Sequence, residues 1–208
     1  MLIYLCMIIG SIMLHEFGHL ITALWFKVKV TAYSIGFGKV LLHKKWKKID
    51  WRISLIPLGG YCELEERIGE PHSLAELSYS KQLIIILAGI LMNLLIATIC
   101  YWIQFRSFFM GFYFDLQIWK LLLTNNYDSI SYLVYYFDLN PYILQCSILN
   151  IGLFITNLLP IPALDGGYIW LLPLQKKLSP ITYKRIIYFG ILFLIISQVW
   201  LIYYWWLR

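Results

Sequence analysis

Residues 2–26 read LIYLCMIIGSIMLHEFGHLITALWF, an apolar run of membrane-spanning length interrupted by His15-Glu16-Phe17-Gly18-His19. A helix crosses hydrocarbon in about 20 residues. Two imidazoles and a carboxylate are costly at that depth, so their presence needs a reason. Residues four apart share one face of a helix. His15 and His19 therefore project together, with Glu16 beside the first. That arrangement suits a catalytic zinc, the glutamate lying within reach of water at the metal. The stretch points to metal-dependent hydrolysis inside a bilayer.

Composition supports a membrane location. Of 208 residues, 61% are hydrophobic and 13% charged, and the mean hydropathy is +0.71. Soluble domains carry about 25% charged residues, so the chain reads as one polytopic membrane domain over 1–208 rather than a soluble core with an anchor. The net charge of +6 is accounted for by membrane topology, and no nucleic-acid partner is expected. Cys6, Cys62, Cys100 and Cys146 are far apart and form no CxxC; they read as small apolar residues. The N-terminal run lacks a basic leader and a small-residue cleavage site, so it is read as a retained span.

Four spans emerge, at about 2–26, 82–103, 142–159 and 184–206, in an otherwise all-α membrane protein. Before the second, Ser73-Leu74-Ala75-Glu76 fits a capping box. The fourth ends in Tyr203-Tyr204-Trp205-Trp206, an aromatic belt. Lys and Arg crowd the 27–81 connection and recur at Lys176, Lys177, Lys184 and Arg185, whereas 104–141 holds only Arg106 and Lys120. The positive-inside rule then places 27–81 and 160–183 in the cytoplasm and both termini outside. The Lys44–Lys48 cluster around Trp46 reads as a basic turn on lipid head groups. In 104–141, Phe108–Leu123 has the apolar character of a fifth span, but Asp115 and Lys120 argue against one, and the region is read as interfacial helices on the outer surface.

Residues 32–62 differ. The stretches 33–42 and 49–61 carry β-branched and aromatic residues with glycine breaks, and neither is long enough to cross as a helix. They are too apolar for a free cytoplasmic hairpin. Strand backbone at membrane depth is tolerated against protein or a watery cavity, which predicts a membrane-re-entrant β-hairpin dipping towards His15-Glu16-Phe17-Gly18-His19. Its open edge can receive an extended peptide as an added strand.

Two histidines do not complete a zinc site, which takes three protein ligands and an open position. His43 and His72 flank solvated turns. Asp165 stands out in Asn157-Leu158-Leu159-Pro160-Ile161-Pro162-Ala163-Leu164-Asp165-Gly166-Gly167. At ~1.5 Å per residue, His15 and His19 lie roughly 20–26 Å from the outer end of the first span, and the third span reaches similar depth near Asn157. There Pro160 and Pro162 halt the helix, and the turn lets Asp165 swing towards the histidines. A plainer alternative has Pro-x-Pro and Gly-Gly merely ending a span, with Asp165 capping the next helix.

Taken together, these motifs resemble the site-2 proteases, the intramembrane zinc metalloproteases of peptidase family M50. His15 to His19 matches the family's HExxH, and Asn157 to Gly167 its N-x-x-P-x-P-x-x-D-G-G. Gly36-Phe37-Gly38 and Ile56-Pro57-Leu58-Gly59-Gly60-Tyr61 look like its re-entrant hairpin. Ala88-Gly89-Ile90-Leu91-Met92-Asn93 is similar to its A-G-P-x-x-N, with Ile90 in place of the proline. Many bacterial relatives carry PDZ domains where this chain has 104–141, a connection too short to hold one; the compact form implies that any such substrate filter is missing there or comes from a membrane partner.

The resemblance implies one Zn²⁺ held by His15, His19 and Asp165, with Glu16 as general base. It also implies substrate backbone held near Asn93 and Asn157 and along Gly36, Gly38, Pro57 and Gly59. The expected activity is cleavage of the transmembrane segment of a membrane protein or peptide, in regulated intramembrane proteolysis or in signal- or precursor-peptide processing. The expected location is a bacterial cytoplasmic membrane, with the site towards the cytoplasmic leaflet. The alternative is a zinc carrier or a zinc-binding scaffold that does not cut. A carrier is expected to show repeated halves or a file of polar residues along several spans, whereas here the polar groups converge at one depth.

Overall fold

The computed structural model describes residues 2–175 and 177–206. Its elements in chain order are helix α1 (Leu2–Trp25), strands β1 (Val30–Trp46) and β2 (Ile49–Leu64), then helices α2 (Tyr79–Phe105), α3 (Phe108–Leu123), α4 (Tyr127–Tyr136), α5 (Pro141–Leu158), α6 (Asp165–Gln175) and α7 (Pro180–Trp206). Among the described residues, four helices are long and apolar enough to cross a membrane: Leu2–Trp25, Tyr79–Phe105, Pro141–Leu158 and Ile181–Trp200 within α7. They coincide with the expected spans to within a few residues at each end. The Tyr204, Trp205 and Trp206 side chains of the expected belt, and Lys176, lie outside what is described; Tyr203 is exposed.

Local chemistry sets the helix ends. Past α1, Lys27 takes a left-handed conformation (φ 59°) and the Val28 N–H returns to the Ala23 carbonyl at 2.8 Å, closing off the last carbonyls. Arg106, also left-handed, ends α2. The Asn140 side chain accepts from the N–H groups of Tyr142 and Ile143, and Pro141 follows at the first helical position, where its missing N–H costs nothing. The Ser73 cap differs from expectation. Ser73 accepts from Ala75 N–H to cap a 3₁₀ turn at Leu74–Glu76, while Glu76 reaches Gly69 N–H instead of closing the box; α2 begins later, at Tyr79.

Helix α2 is the hub, packed between α1 and α5. Where α1 crosses it, a Cβ on Gly18 would stand 2.5 Å from the Ala88 carbonyl oxygen, and one on Gly89 would collide with the His19 imidazole. Only hydrogen fits at both positions, so the backbones meet directly. The outer helices form a separate cluster: Phe114, Ile118, Leu139 and Leu144 pack α3 against α5 and the connection before it. Asp115, read from sequence as a sign of a wet interface, is fully buried, its carboxylate accepting from the Tyr101 hydroxyl at 2.8 Å and the Ser147 hydroxyl at 3.1 Å. Helix α7 stands at the edge of the bundle, most of its span exposed.

The hairpin is present and more folded than an open ladder. β1 and β2 run antiparallel around Lys47 and Lys48, both at positive φ (49° and 67°), the backbone of a tight two-residue turn. Gly36 and Gly38 (φ 86° and 82°) bend β1 midway. Before the bend, Ala32 to Ile35 have partners on both sides: Glu63 to Gly60 on one, Asp50 to Ile53 on the other. The base of β1 is buried, with Val30 and Tyr33 joining Leu20, Ala23, Ile85 and Leu74 in one core, and the Tyr33 hydroxyl donates to the Met13 carbonyl at 2.6 Å. Beyond the bend, Phe37, Val40, Leu41, Leu42, Leu55 and Ile56 are exposed.

Candidate metal centre

Two elements distant in sequence deliver the central residues. His15 and His19 face inward from α1, and Asp165 opens α6, at the end of the Pro160–Leu164 turn after α5. That turn is drawn tight because Gly166 and Gly167 pass directly under the Leu158 and Ile161 carbonyls, where a Cβ would not fit. As a result Asp165 Oδ2 lies 3.1 Å from His15 Nε2 and 3.4 Å from His19 Nε2, and the two Nε2 atoms are 3.3 Å apart. Four ligands at about 2.1 Å around a tetrahedral zinc stand roughly 3.3–3.4 Å from one another. The triangle has the dimensions of one face of that tetrahedron.

Hydrogen bonding behind the triangle decides what it can hold. His19 Nδ1 lies 2.8 Å from the Ile85 carbonyl and His15 Nδ1 2.6 Å from Asn93 Oδ1. The Ile85 oxygen only accepts, so His19 carries its proton on Nδ1. For His15 the argument runs down a chain. Asn150 Nδ2 donates to the Cys146 carbonyl (2.8 Å) and to Ser11 Oγ (2.9 Å). Its Oδ1 therefore accepts from Asn93 Nδ2 at 2.9 Å, which turns Asn93 Oδ1 towards His15 as an acceptor. His15 is protonated on Nδ1 too. Both Nε2 lone pairs thus face each other and a carboxylate oxygen that is buried and lacks a hydrogen-bond donor. With the imidazoles neutral, these are three acceptors with no hydrogen between them, and a proton or a metal cation at their centre removes the conflict. These residues fit zinc.

Glu16 completes the group from the side. Its Oε2 accepts from the Cys62 backbone N–H at 3.0 Å. Cys62 is opposite Tyr33 in the ladder, yet its N–H points to the other flank, where a further strand would bond. Glu16, His19 and Asp165 open into a cleft of about 790 Å³ walled by Phe37 and Gly60–Cys62 of the hairpin, by Ile85 and Ile86, and by Tyr183, Ile187, Ile191 and Ile195 of α7.

The other residues singled out from the sequence fall into two sets. Asn93 is fully buried and holds His15 instead of lining the cleft. Gly36, Gly38, Pro57 and Gly59 lie in the hairpin without lining it, although their neighbours Phe37, Gly60 and Tyr61 do; Asn157, in the last turn of α5, does not line it either. His43 pairs with Asp50 at 3.2 Å, and His72 is exposed, both away from the triangle. Sequence reading missed Ser11 and Asn150. Both are polar residues in apolar spans, and Ser11 sits four residues before His15 on the same face, which is the signal that would have found them.

Residues 3–197 match the sequence model of peptidase family M50. This chain belongs to that family. A provisionally named zinc metalloprotease of Treponema pallidum is 38% identical over 105 residues, covering 43% of this chain and 23% of that protein. A similarly named protein of Neisseria meningitidis is 36% identical over 112 residues, 50% of this chain and 25% of the other. The regulator of sigma-E protease RseP of Escherichia coli is 37% identical over 106 residues, 45% of this chain and 23% of RseP. The matches span about a quarter of the length of these relatives.

Proposed function

We propose that the chain is a zinc endopeptidase that cuts peptide bonds within or beside the transmembrane segments of other membrane proteins. The observation that carries this reading is the set of three potential ligand atoms, His15 Nε2, His19 Nε2 and Asp165 Oδ2, within 3.1–3.4 Å of one another. They converge beside a glutamate in a cleft long enough for a peptide. The names of the M50 relatives support zinc as the ion and proteolysis as the activity.

Zinc held by these three residues supplies Lewis acidity, polarising a scissile carbonyl and acidifying water. Glu16 takes the proton of the attacking water and passes it to the departing amine. The Cys62 N–H fixes the carboxylate and leaves its other oxygen for this exchange. Asn93 and the Ile85 carbonyl hold the imidazole tautomers so that Nε2 remains free to ligate. The apolar walls exclude bulk water, while the Gly60–Leu64 edge of β2 offers backbone pairing to a substrate drawn out as a strand.

The exposed apolar face of the hairpin, Phe37, Val40, Leu41, Leu42, Leu55 and Ile56, supports burial in lipid, with the Lys44–Lys48 turn at head-group level. The distribution of Lys and Arg supports a cleft facing the cytoplasmic leaflet and termini on the opposite side. The test is Glu16→Gln in proteoliposomes with a single-span substrate and metal analysis. The variant is expected to keep one zinc per chain and to lose cleavage by about 10²–10⁴-fold. A variant that cuts at the wild-type rate, or a wild type without zinc, would overturn the reading.

A further inference from the structure

The cleft carries one carboxylate that the chemistry above does not use. Glu66, two residues past β2, lines it together with Tyr168 and Tyr183. Two cations of the same region, Arg67 and Lys29, are committed to Glu65 and Glu70. Arg67 binds Glu65 through Nε at 2.9 Å and approaches Glu70 at 3.7 Å, and Lys29 reaches Glu65 at 3.3 Å. Glu66 has no hydrogen bond or ion pair among the described residues. The residue as a whole is exposed, but its carboxyl end is set into the cleft wall. Burial there, with the charge of Glu65 beside it, pushes the carboxyl above its ordinary range.

Its place along the cleft suggests what it receives. The α7 wall runs from Tyr183 to Ile195, about 18 Å at ~1.5 Å per residue. That length matches roughly five residues of extended peptide at ~3.3 Å each. Tyr183 lies at the start of α7 and Glu66 on the loop of the basic 27–81 connection, so the Glu66 end is the mouth on the lysine-rich side. Single-span substrates leaving the membrane on that side carry Lys or Arg in their own flank, by the same topological rule that orients this chain.

We propose that Glu66 is a specificity-determining residue that pairs with a Lys or Arg flanking the transmembrane segment of the substrate and so sets which bond lies over Glu16. The inference rests on the proteolytic reading for its biological meaning, but binding alone can test it. The pairing relieves the unfavourable burial of Glu66 and ties a charge at the membrane surface to a fixed register along the β2 edge.

The experiment measures peptide binding to the Glu16→Gln protein in nanodiscs, using three fluorescent single-span peptides that differ only in a flanking Lys, Ala or Glu. The Lys peptide is expected to bind about tenfold more tightly than the Glu peptide. Adding Glu66→Gln should collapse that ratio towards one, and Glu66→Lys should invert it. A ratio unchanged by both substitutions, or absent at the start, overturns the proposal. Because each ratio is internal to one variant, lower stability does not imitate the result, and the near-isosteric Gln variant decides if the Lys variant folds poorly. Failure of the proteolytic reading would look different: the binding preference would persist, while protein with Glu16 intact cut none of the three peptides.

Discussion

Asp115 and Asp165 both lie inside the apolar bundle, and their surroundings differ in one respect. Asp115 is closed: Tyr101 and Ser147 each donate a hydroxyl hydrogen to it, one to each oxygen. Asp165 is open: its Oδ2 meets two imidazole nitrogens whose protons lie on their far sides. A satisfied buried network is a structural joint, whereas a buried acceptor facing only other acceptors is a place for a cation. The difference teaches that donors and acceptors, more than burial or charge, separate the site from the scaffold.

The sharpest way to break that comparison is to neutralise each carboxylate and look for effects of opposite sign. Asp165→Asn removes a ligand charge and supplies an N–H₂ donor to the facing Nε2 atoms. Zinc content measured by mass spectrometry should fall to background, and cleavage with it. The metal-free variant should melt at a higher temperature than metal-free wild type, because the repulsion among acceptors is relieved. A metal-free variant that melts lower would show that the triangle is not strained without an ion. Chelation of wild type should abolish cleavage, and added Zn²⁺ should restore it.

Next in size is the support behind His15. Outer partners of a metal ligand typically change affinity by about 10–100-fold. Asn93→Ala should weaken zinc binding to that extent, read by competition with a chromogenic chelator. Asn93 lies out of the cleft, so the loss should follow the metal: saturating zinc should bring cleavage back to within a few-fold of wild type. Persistent loss at full occupancy would assign Asn93 a direct contact with substrate.

At Asp115 the expectation reverses. Asp115→Leu strands the Tyr101 hydroxyl in an apolar joint, where one unsatisfied group costs about 1–3 kcal/mol, while Ser147 keeps its bond to the Leu144 carbonyl at 2.8 Å. The melting temperature should drop while zinc content and cleavage at low temperature persist. Loss of zinc from the folded variant would join the two regions into one network and end the distinction.

Much of this contrast was legible in the sequence, and the reason it was not all legible is physical. Apolar runs of about 20 residues mark spans because backbone in lipid must bond to itself, so all four long helices were readable. His15, Glu16 and His19 were readable because helical spacing fixes their face. Asp165 was readable from Pro160, Pro162 and the matching depth of two spans. What spacing cannot show is the partner across a gap. Asp115 looked like a mark of wetness because Tyr101, fourteen positions earlier, and Ser147, on another helix, are joined to it only by the fold. The second partner of Ala32–Ile35 in the sheet is hidden for the same reason, since pairing with Asp50–Ile53 depends on the bend at Gly36 and Gly38. Helix α6 is too short and too interrupted, by Gly166, Gly167 and Pro173, to announce itself by periodicity.

A further carboxylate, buried itself but paired with exposed cations, gives the mildest test. Glu65 is saturated by Arg67 and Lys29, and these cations hold its carboxyl down at about 2. Its backbone joins Lys29 and Leu74, so it ties the end of β2 to the loop before α2. A carboxyl whose folded value lies below the unfolded one, about 4.3, contributes stability that is present above the unfolded value. That contribution is lost as pH falls from about 4.3 towards 2, because the unfolded chain takes up the proton first. Proteolytic nicking in the 65–72 loop should therefore rise as wild type is acidified through that window. Glu65→Gln should nick faster than wild type at pH 6 and show little further change on acidification. The effect should be small, since ion pairs with solvent-exposed cations contribute little, and it should shrink further in high salt. Neither trend belongs to Asp115, whose donors are neutral hydroxyls. Salt sensitivity thus separates a carboxylate tied by charge from one tied by hydroxyls, and zinc dependence separates Asp165 from both.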